Sequence, residues 1–124
     1  MTEYQIQKAL AEYLRARGVM FRSDGGGLKL PIGLAKKYKM INDGSAWPDV
    51  FIAESKSGYF GLFLELKRDH TQVWDKRGNI RKNAHIQRQN DTLKALRERG
   101  YCAEFACGLD DAIELVDDYL KNRL

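Results

Sequence analysis

Asp49, Glu65 and Lys67 are the residues of this chain whose types and spacing can do chemistry. Asp49 closes Trp47-Pro48-Asp49, and Glu65 and Lys67 bracket Leu66 across a short hydrophobic hairpin. Hard carboxylate oxygens suit Mg2+ or Mn2+, which keep several waters and also take a substrate phosphate. Such an ion lowers the pKa of water and offsets charge on a phosphorane-like transition state. A neighbouring ammonium orients or deprotonates the attacking water, or stabilises the developing charge directly. Two carboxylates and a lysine so spaced form a candidate metal-dependent phosphodiester-cleaving site.

Strand geometry must bring them together. Asp49-Val50-Phe51-Ile52 and Phe60 to Leu66 are β-branched or aromatic-rich runs separated by the turn-forming Glu54-Ser55-Lys56-Ser57-Gly58. A turn centred on Ser57 pairs Val50 with Leu64, Phe51 with Phe63 and Ile52 with Leu62, and sets Asp49 opposite Glu65. Opposed residues have Cβ atoms ~4.5 to 5.5 Å apart, where like charges destabilise unless compensated. A divalent cation would compensate. Side chains alternate along a strand, so Glu65 and Lys67 share one face while Leu62, Leu64 and Leu66 fill the other. The plainer alternative is a surface hairpin carrying an ordinary Glu/Lys pair.

Two helices offer further polar groups to the same place. Thr2 can cap a helix running to about Arg17, with Gln5 at the capping-box position and Gly18 ending it. At about 100° per residue, Glu3 falls within its apolar stripe of Ile6, Leu10, Tyr13 and Leu14. Glu3 is equally well placed simply to favour the helix dipole. A second helix spans about Ala84 to Arg99 and ends at Gly100. Ile86, Leu93 and Leu96 define its stripe; Gln89 lies on it and Gln87 points away. Gln89 can hydrogen-bond a water or fix Lys67, or be only a partly buried helix-start residue.

Tyr101 to Ala106 reads as a strand, and Leu109 to Leu120 as an amphipathic helix with Ile113, Val116 and Leu120 inward. Val19 to Arg22 is an earlier strand, broken by Asp24-Gly25-Gly26-Gly27, after which a long basic loop leads to Gly44-Ser45-Ala46. With 124 residues, 44% hydrophobic, the chain is most simply one domain with one core. Its apolar runs are too short to span a membrane, and its polar amphipathic start lacks a signal-peptide core, so a cytosolic protein is expected. Cys102 and Cys107 lack CxxC spacing, which argues against a zinc site or disulfide.

The net charge of +4 conceals an asymmetry: from Tyr101 onward six acids face Lys121 and Arg123, leaving −4 there and +8 on residues 1–100. Such a field attracts phosphate backbones. Lys29, Lys36, Lys37 and Lys39 precede Trp47, and Arg68, Lys76, Arg77, Arg81 and Lys82 follow Lys67, so both groups are expected to flank the site as contacts to nucleic acid. A solvated charged surface is the alternative. Trp74, in the segment 71–83, is placed to stack on a base or to pack into a partner. His70 and His85 lack metal-ligand spacing and read as loop residues or phosphate contacts.

Pro48-Asp49, Glu65-Leu66-Lys67, Glu3 in the first helix and Gln89 in the next together resemble the PD-(D/E)xK nuclease superfamily, and within it the virus-type replication-repair nuclease (VRR-NUC) family. The resemblance spans nearly the whole chain. It implies a restriction-endonuclease-like α/β core, a central mixed sheet flanked by helices. It also implies Mg2+ or Mn2+ held by Asp49, Glu65 and Glu3 with the Leu66 carbonyl as a further ligand, and Lys67 and Gln89 serving catalysis. Small free-standing members are homodimers associated with four-way (Holliday) junctions, so the resemblance implies a DNA endonuclease of replication, recombination or repair in a bacterial cell or phage-infected host. Two other functions stay open: a non-catalytic nucleic-acid-binding module, and an interaction subunit of a repair assembly using the acidic last helix.

Overall fold

The computed structural model describes residues 1–25 and 30–124. Helix α1 (Glu3–Ala16) starts at the expected capping box: Thr2 Oγ1 accepts from the Gln5 N–H at 3.1 Å, and Gln5 Oε1 accepts from the Thr2 N–H at 2.8 Å. These contacts satisfy two of the N–H groups that a helix start leaves without partners. Strand β1 (Phe21–Ser23) follows, then helix α2 (Ile32–Met40), strands β2 (Val50–Ile52) and β3 (Leu62–Lys67), helix α3 (Ala84–Glu98), strand β4 (Cys102–Cys107) and helix α4 (Leu109–Leu120). The sheet runs β1-β2-β3-β4. Its first two pairings are antiparallel and β3–β4 is parallel, with α3 as the crossover. The hairpin has the expected register, Val50 with Leu64, Phe51 with Phe63 and Ile52 with Leu62. Ser57 and Gly58, at φ +52° and +80°, make its turn.

Two apolar layers enclose the sheet. On one face Leu62, Leu64 and Leu66 meet Ile6, Leu10 and Leu14 of α1 and Val116 and Tyr119 of α4. On the other, Phe63 and Phe105 meet Ile86, Leu93 and Leu96 of α3. All six residues of β3 are buried, so the polar pair Glu65 and Lys67 sits in the most enclosed strand. Leu64 is completely buried between sheet and helices. Leu64→Ala is therefore expected to cost about 2–5 kcal/mol through lost transfer energy and an unfilled cavity. Urea unfolding with an unchanged m-value would show it; a loss below about 1 kcal/mol would mean that the two layers are not so packed.

Three expectations need correction. The segment after β1 is not wholly loop: α2 interrupts it, built on the helix-favouring Leu34-Ala35-Lys36-Lys37 after Pro31. It buries none of its residues, so it has no apolar stripe by which periodicity would find it. In α4 Val116, Ile113 and Leu120 do face the core, the last two half-buried, but the innermost ring is Tyr119, which the apolar pattern left out. The Tyr119 hydroxyl donates to the Glu54 carbonyl at 2.6 Å, which lets a polar aromatic occupy the core. Trp74 does not stand free. It pairs with Ile80 in an isolated bridge and sets its ring edge-on to Phe105 at 6.1 Å. Cys102 and Cys107 are buried free thiols, each pushed up to about 11 chiefly by burial, and so stay protonated at neutral pH. Among the described residues no helix is long and apolar enough to cross a membrane.

Candidate metal and phosphate site

The site forms where β2 stops and β3 continues. β2 pairs as far as Val50, so Asp49, the residue before it, turns its carboxylate onto the free edge of β3 and accepts from the Leu66 N–H at 2.7 Å. Carbonyls of Gly61 and Lys67 accept from β4 and the residue after it. Odd-numbered positions of β3 thus turn their backbone groups toward β4, and Leu66 turns its own toward Asp49. A cleft of about 210 Å3 at this edge is lined by Glu3, Gln7, Asp49, Glu65, Lys67 and Gln89, with Asp24, Ala46, Trp47 and His85 around it.

Glu65 and Lys67 are 4% and 5% exposed. Burial first, then the hydrogen bond with Asp49 and that residue's charge, push the Glu65 carboxyl up to about 10, against the opposing pull of Lys67. Without a cation, then, the Glu65 carboxyl keeps its proton at neutral pH and can donate it to the Asp49 carboxylate. Lys67 Nζ lies 3.7 Å from Glu3 Oε1, in an ion pair whose acidic partner is half exposed.

Among the described residues no three His, Cys, Asp or Glu side chains gather closely enough to hold a metal ion. The three-carboxylate set is therefore not assembled: Asp49 and Glu65 are paired, and Glu3 is turned to Lys67. The donor chemistry still fits a hard cation. Two oxygen ligands face each other in an enclosed place, and their mutual repulsion is relieved by a proton on Glu65 and by the neighbouring Lys67.

Gln89 lies on the inner face of α3 and Gln87 is exposed. The Gln89 amide Nε2 lies 3.1 Å from His85 Nε2, within hydrogen-bond distance of the ring nitrogen. Gln89 Oε1 is buried without a hydrogen-bond partner. Gln7, one turn after Glu3 and not among the expected site residues, also belongs here: its Nε2 donates to the carbonyls of Asp24 at 3.0 Å and Asp49 at 3.2 Å. It ties the entry of β2 to α1. Its signal was the i, i+4 spacing from Glu3, which puts both on one helix face.

The basic residues are less well foreseen. Lys36 and Lys37 stand on exposed α2; Arg68, Lys76, Arg77, Arg81 and Lys82 are exposed around the 69–83 segment, and none of the seven lines the cleft. Arg81 is engaged by the Thr71 carbonyl. Lys29 lies outside the described residues. Arg22, Lys39 and Arg88 stand closer, around a groove that adjoins the cleft.

No family model and no curated protein matches the chain. A solved structure described as a VRR_NUC domain protein is similar to it, with a TM-score of 0.69 over 98% of this chain and 90% of that one, at 20% sequence identity. The four-stranded mixed sheet, its flanking helices and this likeness give the chain a restriction-endonuclease-like α/β fold.

Proposed function

We propose that residues 1–124 act as a single nuclease domain, a metal-dependent endonuclease that hydrolyses phosphodiester bonds in DNA. The observation that carries this reading is the buried Glu65, paired with half-buried Asp49 and beside the buried Lys67, in an otherwise apolar strand. A sheet has no structural use for two acids and an ammonium there, since burying them costs stability unless they are paired or ligated. Asp49, Glu65 and the Leu66 carbonyl are the groups that would hold Mg2+ or Mn2+, with Glu3 free to join by turning from Lys67. The ion's chemistry is Lewis-acid stabilisation of the phosphate and a lowered pKa for water.

The chain's own residues supply the rest. Lys67, anchored by its buried stem, presents an ammonium to the attacking water or to the phosphate oxygens as charge develops. Gln89 Oε1 is an open acceptor able to orient a water proton, and His85 fixes its amide. Gln7 holds Asp49 in register through the backbone. The positive charge of residues 1–100 draws in the substrate. Preference for branched DNA such as four-way junctions, and a homodimer that sets two sites on one junction, belong to the same proposal. Exposed Ile32, Met40 and Ile41 on and beside α2 are the apolar surface such a dimer would cover.

The protein is expected to cut matched linear duplex, flap or four-way-junction DNA with Mg2+ or Mn2+ and not with EDTA. Tight, salt-sensitive binding without cuts on any substrate would overturn the reading. It would leave a non-catalytic nucleic-acid-binding module, which the turn of Glu3 away from the acid pair favours.

A further inference from the structure

Beside the carboxylate cleft lies a groove of about 820 Å3, and the two share Asp24 and Trp47. Four aromatic rings line it: Tyr38 of α2, Trp47, Phe51 of β2 and Phe63 of β3. Phe51 stacks on Phe63 with centroids 4.4 Å apart and planes at 25°, and Trp47 leans on Phe63 at 5.9 Å and 51°. Phe63 is buried, whereas Tyr38 and Trp47 are 44% and 43% exposed, so these two keep ring surface open toward the groove. Arg22, Lys39 and Arg88 add positive charge around it, against Asp24 alone.

The wall is built, not incidental. Trp47 Nε1 donates to Asp43 Oδ1 at 3.0 Å, Ala46 N donates to Thr92 Oγ1 at 3.0 Å, and Arg88 Nη2 donates to the Gly44 carbonyl at 3.3 Å. The segment before Pro48 is thereby fastened to α3, and Trp47 is held in place before any ligand arrives.

We propose that this groove is a nucleobase subsite, holding one unpaired nucleotide of the cleaved strand next to the phosphate in the carboxylate cleft. The inference rests on the nuclease reading and adds to it how the substrate is chosen. Every base has a π-face, so open aromatic rings bind bases without regard to sequence, and neighbouring cations track the backbone. Trp47 and Asp49 are two residues apart, within about 7 Å along the chain, close enough for a single nucleotide to reach from the groove to the cleft. A base inside a duplex must be unstacked to enter, whereas one at a flap, junction or frayed end is already free. The groove thus provides a physical reason for selecting DNA by structure.

The test is fluorescence anisotropy in EDTA with labelled hexathymidylate and with an abasic hexamer of the same backbone charge. Wild type is expected to bind the thymidylate about tenfold more tightly. Trp47→Ala removes that difference, Trp47→Phe retains most of it, and both bind the abasic chain as wild type does. Trp47 is exposed enough for both variants to fold, which a thermal melt verifies. Equal affinity of wild type for the two hexamers overturns the subsite, and if the protein still cuts DNA the nuclease reading stands without it. A base preference lost in Trp47→Ala supports the subsite even if no substrate is cut, and the nuclease reading then fails alone. Binding of neither hexamer overturns the proposal and leaves the groove to a protein partner.

Discussion

Glu65→Gln is expected to lower cleavage about a thousandfold and, in the absence of metal, to make the protein more stable. In the folded chain the Glu65 carboxyl is pushed up to about 10, from an ordinary value of 4.5, mainly by burial and then by Asp49. Between those two pH values the folded state holds a proton that the unfolded state has released. Stability therefore falls as pH rises across that window, by at most about 1.4 kcal/mol per unit, and the contribution of this group is fully present only below the lower value. Glutamine is neutral at every pH and its amide can donate to Asp49 as the protonated acid does. At pH 8 the variant should gain about 1–3 kcal/mol, a rise in Tm on the order of 5 °C. At pH 5 the two proteins should melt nearly together. Thermal melts in EDTA at both values check this, and a variant no more stable than wild type at pH 8 would show that Glu65 is not held as a strained acid.

Metal ions reverse the comparison. An ion that binds only the folded state raises stability in proportion to the logarithm of one plus the ratio of its concentration to its Kd. Mg2+ or Mn2+ should raise the wild-type Tm at pH 8 and leave that of Glu65→Gln nearly unmoved, while activity falls about a thousandfold. The stability sacrificed at Glu65 is the trade expected of a functional residue held where the fold alone would not put it.

The hairpin that creates this strain was legible because its determinants are local. Two apolar runs, a turn at Ser57-Gly58 and strict alternation fix the register, and the register alone sets Asp49 against Glu65. The capping box of α1 and the Gln89 face of α3 were legible for the same reason. What periodicity does not encode is contact between distant segments. Gln7 reaches the Asp49 carbonyl and Ala46 reaches Thr92 through chain separations no pattern spans. Helix α2 escaped because nothing in it is buried. Charge fixes no direction, so the basic residues could be named but not placed: Arg22, Lys39 and Arg88 line the groove beside the site, and the clusters at 36–37 and 76–82 do not.

Lys67→Met is expected to separate catalysis from metal binding. The side chain is almost wholly buried, and its partner Glu3 is half exposed, so once the ammonium is removed Glu3 can turn to water. Methionine fills a similar volume and needs no partner. The stability change should stay within about 1 kcal/mol, because a buried charge gives way to an apolar side chain and the acid left behind is not buried. Cleavage should fall about 10²- to 10⁴-fold, because the group that serves the water or the phosphate charge is gone. Asp49 and Glu65 remain, so the rise in Tm with Mg2+ or Mn2+ should persist in this variant, unlike in Glu65→Gln. Lys67→Arg should not restore activity, since a planar guanidinium fork cannot occupy the slot of a compact ammonium at the same reach. Single-turnover cleavage together with metal-titrated melts decides the matter. If Lys67→Met keeps activity within fivefold of wild type, the ammonium serves only to neutralise the acid pair, and the attacking water must be oriented from the Gln89 side of the cleft.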